Sequence, residues 1–578
     1  MNSIAWTRPA LAVALWAGAS PLALAASPAP AEGENGMVVT VQHLATDVGV
    51  AVLEAGGNAI DAAVAVGYAL AVTWPSAGNL GGGGFMTIRL ADGTETFIDF
   101  RERAPKAATA DMYLDDAGEP VPGASTDTYL AVGVPGSVAG LEYAREKYGT
   151  RPREELIAPA IGLARDGFAL SPGDVAEQSG SADFLALDEA AAAIFLREGA
   201  TPGVGETLVQ TDLAATLEAI SAGGADGFYK GRTAELIVAA SEANGGILTI
   251  EDFDAYAVRE MEPVTCSYRG YDIASSPPPS SGGLVICEIL NVLEGYPISY
   301  LGFGSAETTR LMVEAMRHAF VDRNTALGDP DFVDNPVEKL TSKGYAEEVR
   351  ARIDPYRAGV SSDLTPEGFA ESTETTHYSI IDGEGNAVAV TYTLNGSFGA
   401  GKVAPGTGVL LNNEMDDFTI KPGVANLYGL IQGEANAIEP GKSPLSSMSP
   451  TIVSKDGEPF MVIGSPGGSR IITITLQSIM NVIDHGMNIQ EAIDAPRIHH
   501  QWLPDRVLME PRALSPDTLR ILAGQGYSVS EDPGWPIWGE AAGILVGGPD
   551  LDAVEAGAGP RFVGAIDSRA PAGSARGF

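Results

Sequence analysis

From residue 36 onward, apolar and polar positions alternate with two different periods, and the change of period divides the chain. A short apolar run covers 37–41, and positions 45–55 follow a helical period that stops at Gly56-Gly57. Asn58 is placed to cap the next segment, 59–72, whose small apolar residues run almost all round the helix, as in a buried helix ending before Pro75. The run Gly81-Gly82-Gly83-Gly84 leads into apolar alternation over 85–90, a turn at Asp92-Gly93 and a second run over 96–100, which predicts a hairpin with Arg101 at its end. Between about 130 and 350, helical stretches such as 136–148 and 308–325 alternate with loops, among them Pro277-Pro278-Pro279, without an internal repeat. Residues 355–374 are polar and acidic and read as an exposed linker, after which the pattern switches to period two.

That switch opens a second hairpin, with strands at 377–381 and 387–393 around Asp382-Gly383-Glu384-Gly385-Asn386. If Ile381 pairs with Ala387, Thr375 faces Thr393 on one side of the sheet, and a slip of one residue destroys the pair. On periodicity alone, two facing threonines are an ordinary packing and hydroxyl pair. Further on, an apolar strand at 460–464 runs into Ser465-Pro466-Gly467-Gly468-Ser469-Arg470 and then an apolar helical run, 471–483. Strand, glycine turn and helix aim free backbone N–H groups at an anion. The turn is either a plain tight turn or an oxyanion hole.

Charge narrows the partners. The 578 residues carry 35 Lys and Arg against 75 Asp and Glu, a net charge of -40, which repels nucleic acid and anionic lipid. At 45% hydrophobic residues the chain is globular. Arg8, the apolar run 10–19 and Ala23-Leu24-Ala25 form a signal peptide over residues 1–26, with cleavage expected near Ala25 or Ala26 and export to a periplasm or the medium. No later stretch is long and apolar enough to suggest a membrane span. The two cysteines, Cys266 and Cys287, either pair or remain buried thiols. No serine satisfies G-x-S-x-G and no histidine lies in H-E-x-x-H. The near P-loop ending at Gly401-Lys402 has Val403 in place of the metal-binding hydroxyl. Neither a metal nor an organic cofactor is implied.

Several long motifs, in order, resemble those of the γ-glutamyltranspeptidase family, the glutathione hydrolases. They are Gly57-Asn58-Ala59-Ile60-Asp61-Ala62-Ala63, the glycine run before Phe85, Asp99-Phe100-Arg101-Glu102, Thr375-Thr376-His377-Tyr378-Ser379, Asn412-Asn413-Glu414-Met415-Asp416-Asp417-Phe418, Pro444-Leu445-Ser446-Ser447-Met448-Ser449-Pro450 and Gly467-Gly468. The likeness spans nearly all of the mature chain. It implies an N-terminal nucleophile hydrolase: a four-layer αββα sandwich, with α and β segments in one interwoven domain. Its precursor would cut itself between Glu374 and Thr375 into a large subunit, 27–374, and a small subunit, 375–578.

The resemblance gives the threonine pair a role. A threonine at a chain start has its own α-amine, pKa about 7.7–8.0, as a base within reach. Thr375 is then the nucleophile, Thr393 orients its hydroxyl, and Gly467 and Gly468 donate to the oxyanion. For the donor, Arg101, Ser446 and Ser447 match the α-carboxylate, and Asn395, Glu414 and Asp417 the α-ammonium. Tyr428 matches the aromatic gate of a lid loop. The implied reaction passes a γ-glutamyl group from glutathione or a related donor to water or to an amino-acid or dipeptide acceptor. The alternatives are a cephalosporin-type amidase, a poly-γ-glutamate hydrolase and a non-catalytic exported binding protein.

Overall fold

The computed structural model describes residues 27–361, 375–532, 538–557 and 559–578. The expected signal peptide and the Glu374 side of the expected cut lie outside the described residues, as does 362–374 of the acidic linker. The linker's described part, 355–361, has neither helix nor strand.

Local signals carry into the structure with small shifts of boundary. The 45–55 helix is His43–Glu54. Asn58 Oδ1 accepts from the Asp61 N–H at 2.8 Å, and the Asp61 carboxylate accepts from the Asn58 N–H at 3.0 Å, a reciprocal cap that starts the fully buried helix Ala59–Thr73. The first hairpin forms from Gly83–Arg89 and Glu95–Phe100, and the second from Thr375–Asp382 and Ala387–Thr393. In the second, Ile381 pairs with Ala387 and Thr375 with Thr393, the register expected from the loop length. The two cysteines pair: a Cys266–Cys287 disulfide joins the strand Val264–Tyr268 to the helix Gly282–Glu294.

Among the described residues, two seven-stranded antiparallel sheets organise the chain. One runs Ser574–Gly577, Gly36–Thr40, Thr375–Asp382, Ala387–Thr393, Gly83–Arg89, Glu95–Phe100, Arg259–Met261. The other runs Ala31–Gly33, Phe562–Ile566, Ala542–Val546, Glu458–Gly464, Thr451–Lys455, Tyr271–Ser275, Val264–Tyr268. The strand that begins at Thr375 is bonded to Gly36–Thr40 on one side and Ala387–Thr393 on the other, so segments before and after residue 374 are interwoven in one sheet.

Side-chain alternation builds the four layers. In the first sheet, Val38, Ile380, Val388 and Val390 point into a core shared with the helices Ala59–Thr73, Ser137–Tyr148 and Arg153–Asp166. Their neighbours Val39, Ile381, Ala387 and Ala389 point the other way and meet Ile452, Val462, Ala542 and Ile544 of the second sheet. Val453, Met461, Ile463 and Leu545 leave that second sheet on its far side and pack on Gly282–Glu294, Ala306–Ala326 and Ile471–Ile483. The period of two thus gives each strand one helix-facing and one sheet-facing side, and the result is the αββα sandwich. No helix among the described residues is long and apolar enough to cross a membrane.

Candidate active site

The odd-numbered positions of Thr375–Asp382 face the second sheet, so the Thr375 side chain emerges at the strand's end, between the two layers. Its Oγ1 donates to Thr393 Oγ1 at 3.3 Å. Thr393 is fixed in turn. Its hydroxyl oxygen accepts from the Asn395 N–H at 2.9 Å, and its carbonyl accepts from Asn79 Nδ2 at 2.9 Å. The glycine run reaches this point for a steric reason: a Cβ at Gly82 would lie 1.9 Å from the Thr393 carbonyl oxygen. On the same strand, His377 is buried between Thr391 and Ser379, and desolvation lowers its pKa to about 3, so it is a neutral packing group.

The second sheet supplies the other wall. Glu458–Gly464 ends in the turn that carries Gly467 and Gly468, followed by the helix Ile471–Ile483. Gly468 opens a 3₁₀ turn whose first bond is from the Arg470 N–H to the Gly467 carbonyl, at 3.0 Å, so the amides ahead of it precede the intrahelical ladder. Both glycines have left-handed φ, 134° and 54°. Above them, a Cβ on Gly468 would meet Tyr428 Cδ1 at 2.4 Å, so the tyrosine ring lies directly on the glycine. The Tyr428 hydroxyl donates to the Asn395 carbonyl at 2.6 Å, which draws the 421–429 loop over the pocket.

One pocket is lined by Arg101, Thr375, Thr393, Asn395, Glu414, Asp417, Tyr428, Ser446, Ser447 and Gly468, with Leu430, Met448 and Ile471. Of the residues singled out from sequence, Gly467 alone does not line it, and it is the chain neighbour of one that does. Arg101, buried at the end of its strand, forms ion pairs with Glu414 and with Asp417, both on one 3₁₀ turn. The carboxylate-binding and ammonium-binding sides expected from the resemblance are therefore in direct contact. Burial pulls the Arg101 guanidinium down, but Glu414, Asp417 and Glu102 together hold it above the ordinary arginine value. Burial also raises Glu414, Asp417 and Glu102, partly offset in each by Arg101. Burial makes each of the three carboxyls harder to ionise, and the shared guanidinium works against that by favouring the charged forms.

Both serines are oriented from behind. Ser446 Oγ accepts from the Met448 N–H at 3.1 Å, and Ser447 Oγ accepts from Arg323 Nη2 at 3.1 Å. Each hydroxyl keeps a proton to donate elsewhere. The triple-proline loop frames this segment, through Ser446 N–H to Pro279 O at 2.8 Å and Ser281 N–H to Ser446 O at 2.9 Å. Arg323, Ser281, Gln432 and Asn436 around the pocket were not singled out from sequence. A polar residue on a long amphipathic helix or loop reads as a solvated one, and only the fold brings these four together.

The family model for gamma-glutamyltranspeptidase matches residues 45–568. A glutathione hydrolase proenzyme of Pseudomonas sp. (strain A14) is 60% identical over 557 residues, 96% of each chain. The glutathione hydrolase proenzyme of Escherichia coli (strain K12) is 53% identical over 505 residues, 87% of each chain. Among solved structures, a cephalosporin acylase from Bacillus halodurans aligns over 95% of this chain and 97% of its own, with a TM-score of 0.82 and 29% identity.

Proposed function

The chain belongs to the γ-glutamyltranspeptidase family, and on that premise we propose that Thr375, freed by a cut after Glu374, carries out a two-step γ-glutamyl transfer in the pocket described above. The protein is a glutathione hydrolase and γ-glutamyltransferase made as a proenzyme. The observation that carries the assignment of the nucleophile is the Thr375–Thr393 hydroxyl pair, in the same pocket as Arg101, Asp417, Ser446 and Ser447.

In this reading the donor's α-carboxylate takes the serine hydroxyl protons and the Arg101 charge. Its α-ammonium sits against Asp417, Glu414 and the Asn395 side chain, whose Nδ2 already donates to the Asn413 carbonyl and so leaves Oδ1 as an acceptor. Thr375 Oγ1 attacks the γ-carbonyl carbon while its α-amine takes the hydroxyl proton. Charge developing on the carbonyl oxygen is met by the Gly467 and Gly468 N–H groups. The C–N bond breaks, the amine returns the proton to the leaving nitrogen, and cysteinylglycine departs from a glutathione donor, leaving a γ-glutamyl ester on Thr375. Water or an acceptor amine then attacks the ester by the same proton route.

Similarity to a cephalosporin acylase raises a second reading, cleavage of an acyl group that lacks the α-ammonium. The buried pair of carboxylates on Arg101 favours an amino-acid donor, because a glutaryl group offers no cation to meet them. For the cellular site, the charged and apolar pattern of residues 1–26 supports export with signal removal. The test is intact mass and N-terminal sequencing of purified protein, followed by turnover of γ-glutamyl and glutaryl p-nitroanilides. Two chains, one starting Thr375-Thr376-His377, with preference for the γ-glutamyl donor are expected; an uncut chain that hydrolyses neither overturns the reading.

A further inference from the structure

Arg323 is a buried cation held by hydrogen bonds to neutral side chains. It lies on the helix Ala306–Ala326, 1% exposed, and among the described residues no carboxylate is within ion-pair distance of it. Its guanidinium instead donates to four neutral oxygens: Ser281 Oγ at 3.1 Å, Asn324 Oδ1 at 2.8 Å, Gln432 Oε1 at 3.0 Å and Ser447 Oγ at 3.1 Å. Desolvation, with a smaller push from Arg101, lowers its pKa to about 10 against the opposing pull of the Asp417 charge, so the group remains protonated at neutral pH. A buried positive charge whose hydrogen bonds all go to neutral dipoles is costly unless something negative comes close to complete it.

One of those four oxygens belongs to a pocket-lining residue. Ser447 Oγ accepts from the guanidinium, so its own proton is the part of the hydroxyl left to face the pocket, and the adjacent positive charge makes it a stronger donor. The same guanidinium steadies the opposite rim. Gln432 Oε1 accepts from Arg323 while Gln432 Nε2 donates to the Asp417 carbonyl at 3.0 Å, and Asn436 Nδ2 donates to that carbonyl at 2.6 Å.

We propose that Arg323 is a positioning residue for the donor's α-carboxylate: it sets the direction and strength of the Ser447 hydroxyl and supplies, through that one oxygen, the second positive charge the carboxylate meets beside Arg101. The inference rests on the γ-glutamyl reading of the pocket. The ligand feature it concerns is the α-carboxylate alone, not the α-ammonium or the scissile amide.

The experiment measures inhibition of γ-glutamyl-p-nitroanilide turnover by L-glutamate and by 4-aminobutyrate, which differ in the α-carboxylate. The readout is the ratio of their inhibition constants in the mature wild type, Arg323→Lys, Arg323→Gln, Ser447→Ala and the Arg323→Gln/Ser447→Ala double variant. In Arg323→Gln the preference for L-glutamate is expected to fall about tenfold, with kcat within about threefold of wild type. Arg323→Lys keeps the charge without the fork and falls between the two. The double variant is expected to be no worse than the poorer single one, because both remove one interaction. A group that only propped the fold would weaken both inhibitors alike. An unchanged preference in both Arg323 variants, or losses that multiply in the double variant, overturns the proposal; should the glutamine variant not mature, the lysine variant alone decides it. Turnover by the wild type without preference for L-glutamate overturns the γ-glutamyl reading itself, before any variant is compared.

Discussion

Thr375 and Thr393 stand opposite each other at the open end of a hairpin, 3.3 Å apart between hydroxyl oxygens, and the pairing that puts them there is set six residues along each strand by the turn that joins Ile381 to Ala387.

 Seven successive residue pairs, from Ile381 with Ala387 to Thr375 with Thr393, hold that register. The orientation of Thr375 is thus a property of the whole ladder.

Replacing Thr375 by alanine removes both the attacking hydroxyl and the proposed maturation chemistry. The variant is expected to remain a single chain on denaturing gels and to lose turnover by at least roughly 10³-fold. Thr375→Ser keeps an hydroxyl and is expected to be cut, so fragment masses of the two variants separate the chemistry from folding. Full turnover by the alanine variant would remove Thr375 from the mechanism.

Arg101→Ala leaves Glu414 and Asp417 facing each other without their common cation. It is expected to mature but to bind donor poorly, with KM raised on the order of 100-fold and kcat changed far less. The thermal midpoint should fall as well, since removing one partner of a buried pair typically costs about 3–5 kcal/mol. Steady-state kinetics and a thermal scan check the two effects; an unchanged KM would mean that the guanidinium does not touch the donor.

Gly468→Ala sets a methyl group against the Tyr428 ring and requires a left-handed φ of 54° from a residue with a side chain. A loss of about 10- to 100-fold in kcat is expected, because the backbone donor shifts from the oxyanion. In a Tyr428→Ala background the steric part disappears and the loss should shrink. Equal losses in both backgrounds would assign the effect to the backbone alone.

Glu102 gives a pH signature. Burial, partly offset by Arg101, raises its pKa to about 7, above the roughly 4.3 of an unfolded glutamate. A carboxyl raised on folding stabilises below the unfolded value, and that contribution disappears as pH rises through the folded one. Relative to Glu102→Gln, the wild type should therefore lose stability between about pH 4 and pH 7, by on the order of 3 kcal/mol. Denaturant midpoints across that range check it, and parallel pH curves for the two proteins would exclude the effect.

Sequence and structure agree best where the determinant is local. The five-residue turn after Ile381 was enough to place Thr375 against Thr393, and the cap at Asn58 and the apolar run 471–483 marked their helices. The four layers were legible only through the family resemblance, because alternation along a strand says that it has two buried faces without saying what covers each. The site was legible as a set of motifs, but its contacts were not. Arg101 and Asp417 are 316 residues apart, and only the chain's return past the first hairpin turns two expected ligands of the donor into partners of each other. Arg323 was missed because a basic residue on the pattern of 308–325 reads as solvent-facing, whereas the helix packs it inward beneath Ser447. The cysteines left two outcomes open, and strand-to-helix packing decides between them.

The interleaved first sheet has a consequence for how the protein can be made. A cut before Thr375 leaves Thr375–Asp382 hydrogen-bonded to Gly36–Thr40 from the other fragment, while Ala387–Thr393 remains bonded to Gly83–Arg89. Neither fragment can leave without tearing open the middle of a buried sheet, so scission changes the number of chains without creating separable parts. Fragments synthesised independently would each expose unpaired strand edges before they met, an invitation to aggregate. For a chain cut before Thr375, the topology therefore sets the order, assembly first and scission second, and makes a single precursor the natural vehicle.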